Sequence, residues 1–231
     1  MLHNIKKDLK KLSKPAKSQI LQRFFKTGKG QYGEGDRFIG VMVPDIRKVA
    51  KKYHDLSLLE IISLLHSPIH EERLCALLVM VDQFGKAESK KQKKIFDLYL
   101  KNYKYINNWD LVDLTAPRIV GAYLMDGPRE ILYKLARSKN LWQKRIAIIA
   151  TFQFIYHGQS QDTIKIAKIL LHDEHDLIHK AVGWMLREVG KRCDEKILLA
   201  FLDQHHGKMP RTMLRYAIER LSPSQRKHYL S

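Results

Sequence analysis

The sequence has 231 residues, of which 45% are hydrophobic, and it carries 42 Lys and Arg against 24 Asp and Glu, for a formal net charge of +18. The length allows one large domain or two small ones, the apolar fraction is ordinary for a globular core, and no apolar run of about 18 residues could cross a bilayer. A sequence pI near 9.8 indicates a polyanionic partner, either nucleic acid or an anionic membrane surface.

The N-terminal segment and the cysteines bear on the compartment. Residues 1–17 are Lys-rich and lack the apolar stretch of a secretory signal. Cys75 and Cys193 lie far apart and form no CxxC pair, which is typical of a protein in a reducing cytosol. No linker or low-complexity segment divides the chain, so a single intracellular domain over residues 1–231 is expected.

The pattern indicates helices almost throughout, because apolar residues recur at spacings of three and four without a competing strand alternation. Prolines punctuate the pattern at intervals and are tolerated in the first turn of a helix. The predicted fold class is therefore all-α. The pattern predicts helices near residues 15–26, 44–53, 57–65, 70–84, 89–103, 109–124, 128–138, 142–156, 160–171, 175–191, 194–203, 210–220 and 223–229.

The first loop of interest is the glycine-rich stretch 28–36, which contains a literal GxGxxG. A dinucleotide site would need a strand before this motif and a helix after it, whereas here a helix precedes it. The stretch also lacks the Gly-Lys-Ser/Thr of a phosphate-binding loop. We interpret it as a flexible connection that can approach a ligand closely, or simply as a long turn.

The most informative stretch is residues 108–113, Asn-Trp-Asp-Leu-Val-Asp. It places Trp109 and Asp113 four residues apart, on one face of a predicted helix. A basic protein normally surrounds its acids with salt-bridge partners on a solvated face. A carboxylate beside an indole instead favours a site that stabilises positive charge in a bound molecule.

The predicted helix 175–191 has two distinct faces. One is an apolar core stripe, formed by Ile178, Val182, Met185 and Val189. The other carries Lys180, Trp184, Arg187 and Lys191, a set that suits gripping a phosphate backbone with an indole presented beside it. The alternative is a solvated face whose tryptophan half-packs on a neighbouring helix.

A weak internal period indicates repeated helix pairs. Residues 72–76 resemble 144–147, which lie 72 positions later, and these are followed by the related segments 179–182 and 214–217 at steps of 35. A repeat of about 35 to 40 residues is the register of HEAT-like units, so a HEAT-like α-solenoid of antiparallel helix pairs with a concave basic surface is predicted. An irregular helical bundle is the alternative.

In a solenoid, equivalent positions of successive repeats line one surface, so residues distant in sequence can converge. The tryptophans at positions 109, 142 and 184 fall in successive candidate repeats. A site formed by Trp109, Asp113, Arg145 and Trp184 follows as a hypothesis. Trp142, which precedes Arg145 in its helix, is instead interpreted as a buried anchor.

A histidine-bearing acidic run, residues 172–179, is the only metal-like pattern. His175 and His179 have an i, i+4 spacing, but neither an HExxH motif nor a cysteine pair accompanies them. The acids are explained better by the macrodipole at a helix start, so no metal site is predicted.

These motifs together resemble the AlkD type of DNA alkylation-repair glycosylases, over about residues 20–221. The combination is specific to that family, although single motifs such as WDxVD are not. The segments that carry the resemblance are 38–47 (FIGVMVPDIR), 108–113 (NWDLVD), 142–147 (WQKRIA), 175–188 (HDLIHKAVGWMLRE) and 210–219 (PRTMLRYAIE).

The resemblance implies a HEAT-like α-solenoid that holds duplex DNA and hydrolyses the N-glycosidic bond of cationic alkylated purines such as 3-methyladenine and 7-methylguanine. It assigns the family's functional positions to Trp109, Asp113, Arg145 and Trp184, without a metal or organic cofactor. Backbone contacts are expected from Lys180, Arg187, Lys191, Lys144 and Arg215. A monomer in the cytoplasm, associated with the nucleoid, is expected.

The residues support the same chemistry. An alkylated purine is already a good leaving group, and the transition state places oxocarbenium character on the deoxyribose. A fixed carboxylate with aromatic faces beside it suits that charge. The alternatives are a HEAT-like module that binds DNA or RNA without chemistry, and a protein-binding solenoid whose charge is incidental.

Overall fold

The computed structural model describes all 231 residues, and the prediction of an all-α fold is confirmed. The only β feature is an isolated parallel bridge between Arg37 and Ile69. None of the helices is both long and apolar enough to cross a membrane. The α-helices are α1 (Leu2–Lys11), α2 (Pro15–Phe24), α3 (Val43–Lys52), α4 (Leu58–Leu65), α5 (His70–Lys86), α6 (Ser89–Lys101), α7 (Trp109–Asp113), α8 (Glu130–Ala136), α9 (Leu141–Ala150), α10 (Phe152–Tyr156), α11 (Gln161–Ile169), α12 (Asp176–Arg192), α13 (Glu195–His205), α14 (Arg211–Ala217) and α15 (Pro223–Leu230).

Side-chain caps and prolines explain many of the helix starts. Ser57 and Ser222 form capping boxes at α4 and α15, in which the hydroxyl accepts from the N3 backbone and the N3 side chain bonds back. Proline occupies the first turn of α2, α3 and α15, where its missing N–H is not needed. The predicted starts agree with these positions to within a few residues.

One helix was not predicted from the sequence. Helix α1 occupies the Lys-rich N-terminal segment, and only its Ile5 and Leu9 are buried, both with no exposed surface. Two apolar side chains at i, i+4 make a narrow stripe that packs on α3 and α5, while the lysines stay in water. Because lysines surround these two residues, the apolar stripe could not be recognised from the sequence.

Two predicted helices, 109–124 and 142–156, are interrupted. The first stops at Asp113 and resumes as a π-helical turn, Pro117–Gly121, because a proline inside a helix removes a backbone donor and clashes with the preceding turn. The second divides at Thr151, whose hydroxyl donates to the carbonyl of Ile148 at 2.6 Å.

The chain forms two compact units, Met1–Leu111 and Val112–Ser231, with the boundary inside α7. In the first unit α5 is the central helix, and α1, α3, α4 and α6 pack against it. The first turns of α5 bury charged as well as apolar side chains, including His70, Glu71 and Arg73. Of these, His70 bonds directly to Asp110 at the start of α7.

In the second unit α12 is the central helix, with α9, α10, α11, α13 and α14 packed around it. The predicted stripe of Ile178, Val182, Met185 and Val189 is confirmed, since none of the four has exposed surface. Gly183 has no Cβ because one would overlap the Met213 carbonyl, so α12 and α14 meet backbone to backbone. This close packing sets the position of the α12 backbone from which Trp184 projects. The HEAT-like solenoid and the single domain over 1–231 remain predictions.

Candidate functional site

An ion pair between Asp113 and Arg145 lies at the centre of the second unit's candidate site. The guanidinium donates from Nε to Oδ1 at 2.9 Å and from Nη2 to Oδ2 at 2.7 Å, which is the bidentate geometry that orients a carboxylate best. The remaining Nη1 donates to the carbonyl of Leu177 at the start of α12. Arg145 therefore ties the end of α7 to α9 and α12.

The two partners differ in their exposure. The side chain of Arg145 is 6% exposed and that of Asp113 is 14% exposed. Arg145 is thus a buried support, whereas the carboxylate keeps an edge toward solvent. Removing either partner of such a pair typically costs about 3–5 kcal/mol, because an uncompensated charge stays behind.

The exposed edge of Asp113 faces a cavity of about 470 Å³. Trp184, from the middle of α12, lines the same cavity, so the predicted association of Asp113, Arg145 and Trp184 is present within this unit. The cavity is lined by Asp113, Leu114, Pro117, Arg118, Phe152, Gln153, Tyr156, His157 and Trp184.

Aromatic rings form much of that lining. Trp184 is half-buried against Phe152, with ring centroids 5.9 Å apart and an interplanar angle of 37°. Tyr156, one turn further along α10, is 67% exposed. Flat apolar faces beside a carboxylate suit a ligand that is itself cationic.

Arg192 contacts the rings of Phe152 and Tyr156. Its guanidinium lies 5.3 Å from the Phe152 centroid and 5.8 Å from that of Tyr156, and it donates to Glu188 at 2.8 Å. Burial favours a neutral Glu188, but the hydrogen bond and charge of Arg192 outweigh it and lower the pKa of this carboxyl. The Phe152 and Tyr156 rings of the cavity are therefore supported by an arginine that is itself paired with Glu188.

Arg118 is the free cation of the cavity. It is exposed, forms no ion pair, and projects from the π-helical turn that follows Asp113. That turn is pressed onto α9, because a Cβ at Gly121 would overlap the Ala150 carbonyl. Sequence reasoning missed Arg118, Phe152 and Tyr156, although Pro117 marked a break beside Asp113 and the two aromatics have an i, i+4 spacing.

Trp109 belongs to the first unit, where it is part of an aromatic group. Its ring stacks on Phe25 at 5.1 Å with an interplanar angle of 19°, and Phe24 meets its edge at 5.9 Å. Trp109 is half-buried, whereas Phe24 is 61% exposed. An aromatic surface of Trp109 and Phe24 is thus presented to solvent, and Phe24 is a further residue that sequence reasoning did not single out.

The cations that were predicted to contact the DNA phosphate backbone fall into two groups, which differ in whether they form ion pairs within the protein. Lys180 pairs with Asp176 at 2.7 Å, Arg187 pairs with Glu219 and Glu188, and Lys144 pairs with Asp173. Lys191 and Arg215 are exposed and form no ion pair. Only this second group offers charge that is not already balanced within the protein.

The histidines of the 172–179 run have local roles. The ring Nδ1 of His175 accepts the backbone N–H of Leu177 at 3.1 Å and so caps α12, while burial lowers the pKa of this histidine. His179 hydrogen-bonds through Nε2 to the carbonyl of Asp173. No group of three His, Cys, Asp or Glu side chains with metal-binding geometry is present. Trp142 is 7% exposed, as expected for a buried anchor.

Comparison with known proteins shows the family of this chain. A family model described as DNA alkylation repair enzyme matches residues 5–221, nearly the whole chain. The chain belongs to the DNA alkylation repair enzyme family. No protein of curated function matches the sequence at a significant level.

A solved structure shares the fold. It is described as a predicted DNA alkylation repair enzyme from Enterococcus faecalis, and it superimposes with a TM-score of 0.69 over 91% of this chain and 97% of that chain. The sequence identity is 14%, so this likeness shows a common fold and no more. Membership of the family implies DNA as the partner.

Proposed function

We propose that the protein is a monofunctional DNA glycosylase, which hydrolyses the N-glycosidic bond of cationic alkylated purines in duplex DNA and leaves an abasic site. The observation that carries this proposal is the Asp113 carboxylate, oriented by Arg145 at the edge of an aromatic cavity. The family supplies the role in alkylation repair. The preferred substrates are 3-methyladenine and 7-methylguanine.

The reaction breaks the bond between C1′ and N9 of the purine. The alkylated base leaves with the bonding electrons and becomes neutral, and a water oxygen bonds to C1′ while its proton passes to solvent. Positive charge moves onto the deoxyribose in the transition state. Asp113 stabilises that charge and positions the water, and a preorganised charge of this kind is worth roughly 10²–10³-fold in kcat.

The other proposed residues support the sugar and its phosphates. Trp184 offers a π face to the cationic nucleotide. Trp109, in the first unit, is the other aromatic side chain that is proposed to contact DNA. Arg145 orients Asp113 through its bidentate pair. Arg118, which is unpaired and lines the same cavity as the carboxylate, neutralises a phosphate beside the lesion.

The charge of the leaving group sets the substrate range. A cationic purine departs without protonation, so the site needs no general acid. Uracil is neutral, and its departure requires stabilisation of an anion, which a carboxylate opposes. We therefore expect negligible release of uracil by a preparation that releases 7-methylguanine readily.

The test is release of 7-methylguanine and 3-methyladenine from methylated duplex DNA with a chelator present. We expect release by the unmodified protein and retention of DNA binding with strongly reduced release by Asp113→Asn, a near-isosteric change that removes the charge. Asp162→Asn is the matched control, because Asp162 is equally buried and Arg-paired but does not line the cavity. Equal release by the Asp113 and Asp162 variants would remove Asp113 from the mechanism.

The second candidate is a module that binds nucleic acid without chemistry. It is favoured by the unpaired cations Arg118, Lys191 and Arg215, which need no catalytic neighbour to bind phosphates. DNA binding without base release would favour it. In both cases we expect log affinity to fall with log salt by about 0.9 per phosphate neutralised. The protein is proposed to act as a monomer in the cytoplasm.

A further inference from the structure

A sealed cluster of charged side chains lies under Trp109 in the first unit. His70, at the start of α5, is 2% exposed. Its Nδ1 lies 3.1 Å from Oδ2 of Asp36, and its Nε2 lies 2.8 Å from Oδ2 of Asp110. No step of the proposed reaction uses this histidine, and sequence reasoning did not single it out.

The two hydrogen bonds determine the protonation state of His70. A carboxylate only accepts, so each ring nitrogen has to carry a hydrogen for both bonds to exist, and the ring is then an imidazolium. Arg73 donates to Asp36 at 2.6 Å and supplies the second positive charge. Two cations and two carboxylates therefore balance one another away from water, as buried charges require.

The surrounding charges favour this form. Burial opposes a charged ring, but attraction and hydrogen bonding from Asp110 and Asp36 outweigh burial and raise the pKa of His70 above its ordinary value of 6.5, while Arg73 opposes them weakly. The neighbouring acids on α5 are engaged elsewhere. Glu71 accepts the backbone N–H groups of residues 39–41, and Glu72 pairs with Lys6 at 3.1 Å.

The cluster reaches Trp109 by two routes. Asp110 is the next residue in α7. Asn108 joins the same network, since its side-chain Nδ2 donates to Asp36 at 3.1 Å and its side-chain Oδ1 accepts the backbone N–H of Trp109 at 2.9 Å. The rings form the second route. His70 stacks on Phe38 at 4.3 Å and lies 5.2 Å from Phe25, the ring on which Trp109 stacks.

We propose that His70 is a positioning residue, which in its doubly protonated form bridges Asp36 to Asp110 and thereby holds both the start of α7 and the aromatic support of Trp109. This inference rests on the proposed function insofar as Trp109 acts on DNA. Loss of the second proton leaves a lone pair facing a carboxylate, which loosens α7 at its first turn.

The direction of the pH dependence follows from the raised pKa. The stabilisation is complete below 6.5, where His70 is charged in folded and unfolded chains alike, and it is lost as pH rises through the higher pKa of the folded protein. Trp109 is accordingly held while His70 is doubly protonated, and it is released as pH rises through the raised pKa of His70. Asp110→Asn removes the strongest charge favouring the imidazolium, so it moves this transition to lower pH.

The first measurement uses the free protein and needs no catalysis. In a Trp142→Phe/Trp184→Phe background Trp109 is the only tryptophan, and its emission is followed through a pH titration. We expect a transition with a midpoint above 6.5, which shifts to lower pH with Asp110→Asn and disappears with His70→Gln. Asp162→Asn, in a network of the second unit, retains the original transition.

The second measurement is base release against pH, with all three tryptophans present. His70→Gln is expected to lower kcat by about 10- to 100-fold with little change in KM, as for a misplaced catalytic group. Asp110→Asn shifts the alkaline limb of activity as it shifts the emission. Emission that does not change with pH, or that changes identically in the His70 and Asp110 variants and the unmodified protein, overturns the positioning role. The emission result stands even if no base is released, so failure of the proposed function is a separate outcome.

Discussion

Two Arg–Asp pairs in the second unit have nearly the same separation and carboxylate exposure but different hydrogen bonds and surroundings. The pairs Arg145–Asp113 and Arg129–Asp162 each have a closest separation of 2.7 Å, and their carboxylates are 14% and 13% exposed. Asp113 gives both oxygens to one guanidinium and lines the cavity. Burial and closest separation are therefore nearly equal, and the pairs differ in the bidentate bond and in the cavity that Asp113 lines.

Asp162 is enclosed by structural partners. Arg129 and Tyr133 each donate to one of its oxygens, and Arg129 also donates to Gln159 and to the carbonyls of residues 124 and 125. The guanidinium covers the Phe154 ring at 3.9 Å. Burial and the bond to Asp162 raise the pKa of Tyr133, so its hydroxyl remains a donor. The two oxygens of Asp162 thus bond to two different structural partners, and this carboxylate does not line the cavity beside Asp113.

The largest expected difference between the pairs is in kcat for base release when each arginine is replaced by lysine. Arg145→Lys keeps the charge but loses the planar fork, so Asp113 is no longer held by two parallel bonds. We expect kcat for base release to fall roughly 100-fold, since preorganisation of the carboxylate is lost. Arg129→Lys loses more hydrogen bonds but is expected to leave kcat nearly unchanged and to lower Tm instead.

Single-turnover base release is compared for both variants at a temperature where each is folded. Thermal unfolding of both variants gives their Tm. The proposed contrast is wrong if the Arg129 variant loses as much kcat as the Arg145 variant. In that case the two pairs act on the reaction alike, and the cavity beside Asp113 has no special role.

A second contrast separates the tryptophans of this unit. Trp142→Ala is expected to destabilise the protein by about 3–5 kcal/mol, because it empties a buried site. Trp184→Ala is expected to cost less stability but to lower kcat/KM about tenfold, in keeping with removal of one cation–π interaction. Trp184→Phe should recover part of that loss. A Trp184 variant with unchanged kcat/KM and a large loss of Tm would make this residue a core residue only.

The sequence predicts a helix well where its buried apolar residues recur at spacings of three and four. Val182 and Met185 in α12 are examples, since their spacing alone placed them in the core. The sequence missed α1 because its two buried positions, Ile5 and Leu9, are surrounded by lysines. It also joined α7 to the π-helical turn, because apolar spacing continues through Pro117 although the backbone does not.

The site is harder to predict because its members depend on tertiary contacts. Asp113 was predicted from its spacing to Trp109 and from the family resemblance. Spacing alone does not show that Asp113 lines a cavity whereas Asp162, which also pairs with an arginine, does not. His70 was missed for a similar reason: an acidic, basic and histidine-bearing helix start is typical of a solvated surface. Only the fold shows that Asp36 and Asp110 come from other segments to seal it.

The smallest expected effects are on DNA affinity and its salt dependence, when unpaired and paired cations are replaced by alanine. Lys191→Ala/Arg215→Ala should weaken DNA binding a few-fold and reduce the slope of log affinity against log salt by about 0.9 for each phosphate that is no longer neutralised. Lys144→Ala/Arg187→Ala should change the slope less, because Asp173 and Glu219 already balance these charges in the free protein. Binding of an undamaged duplex over a range of salt concentrations measures both. A larger slope change for the paired set would mean that DNA displaces the internal acids, and that phosphate binding replaces ion pairs rather than adding to them.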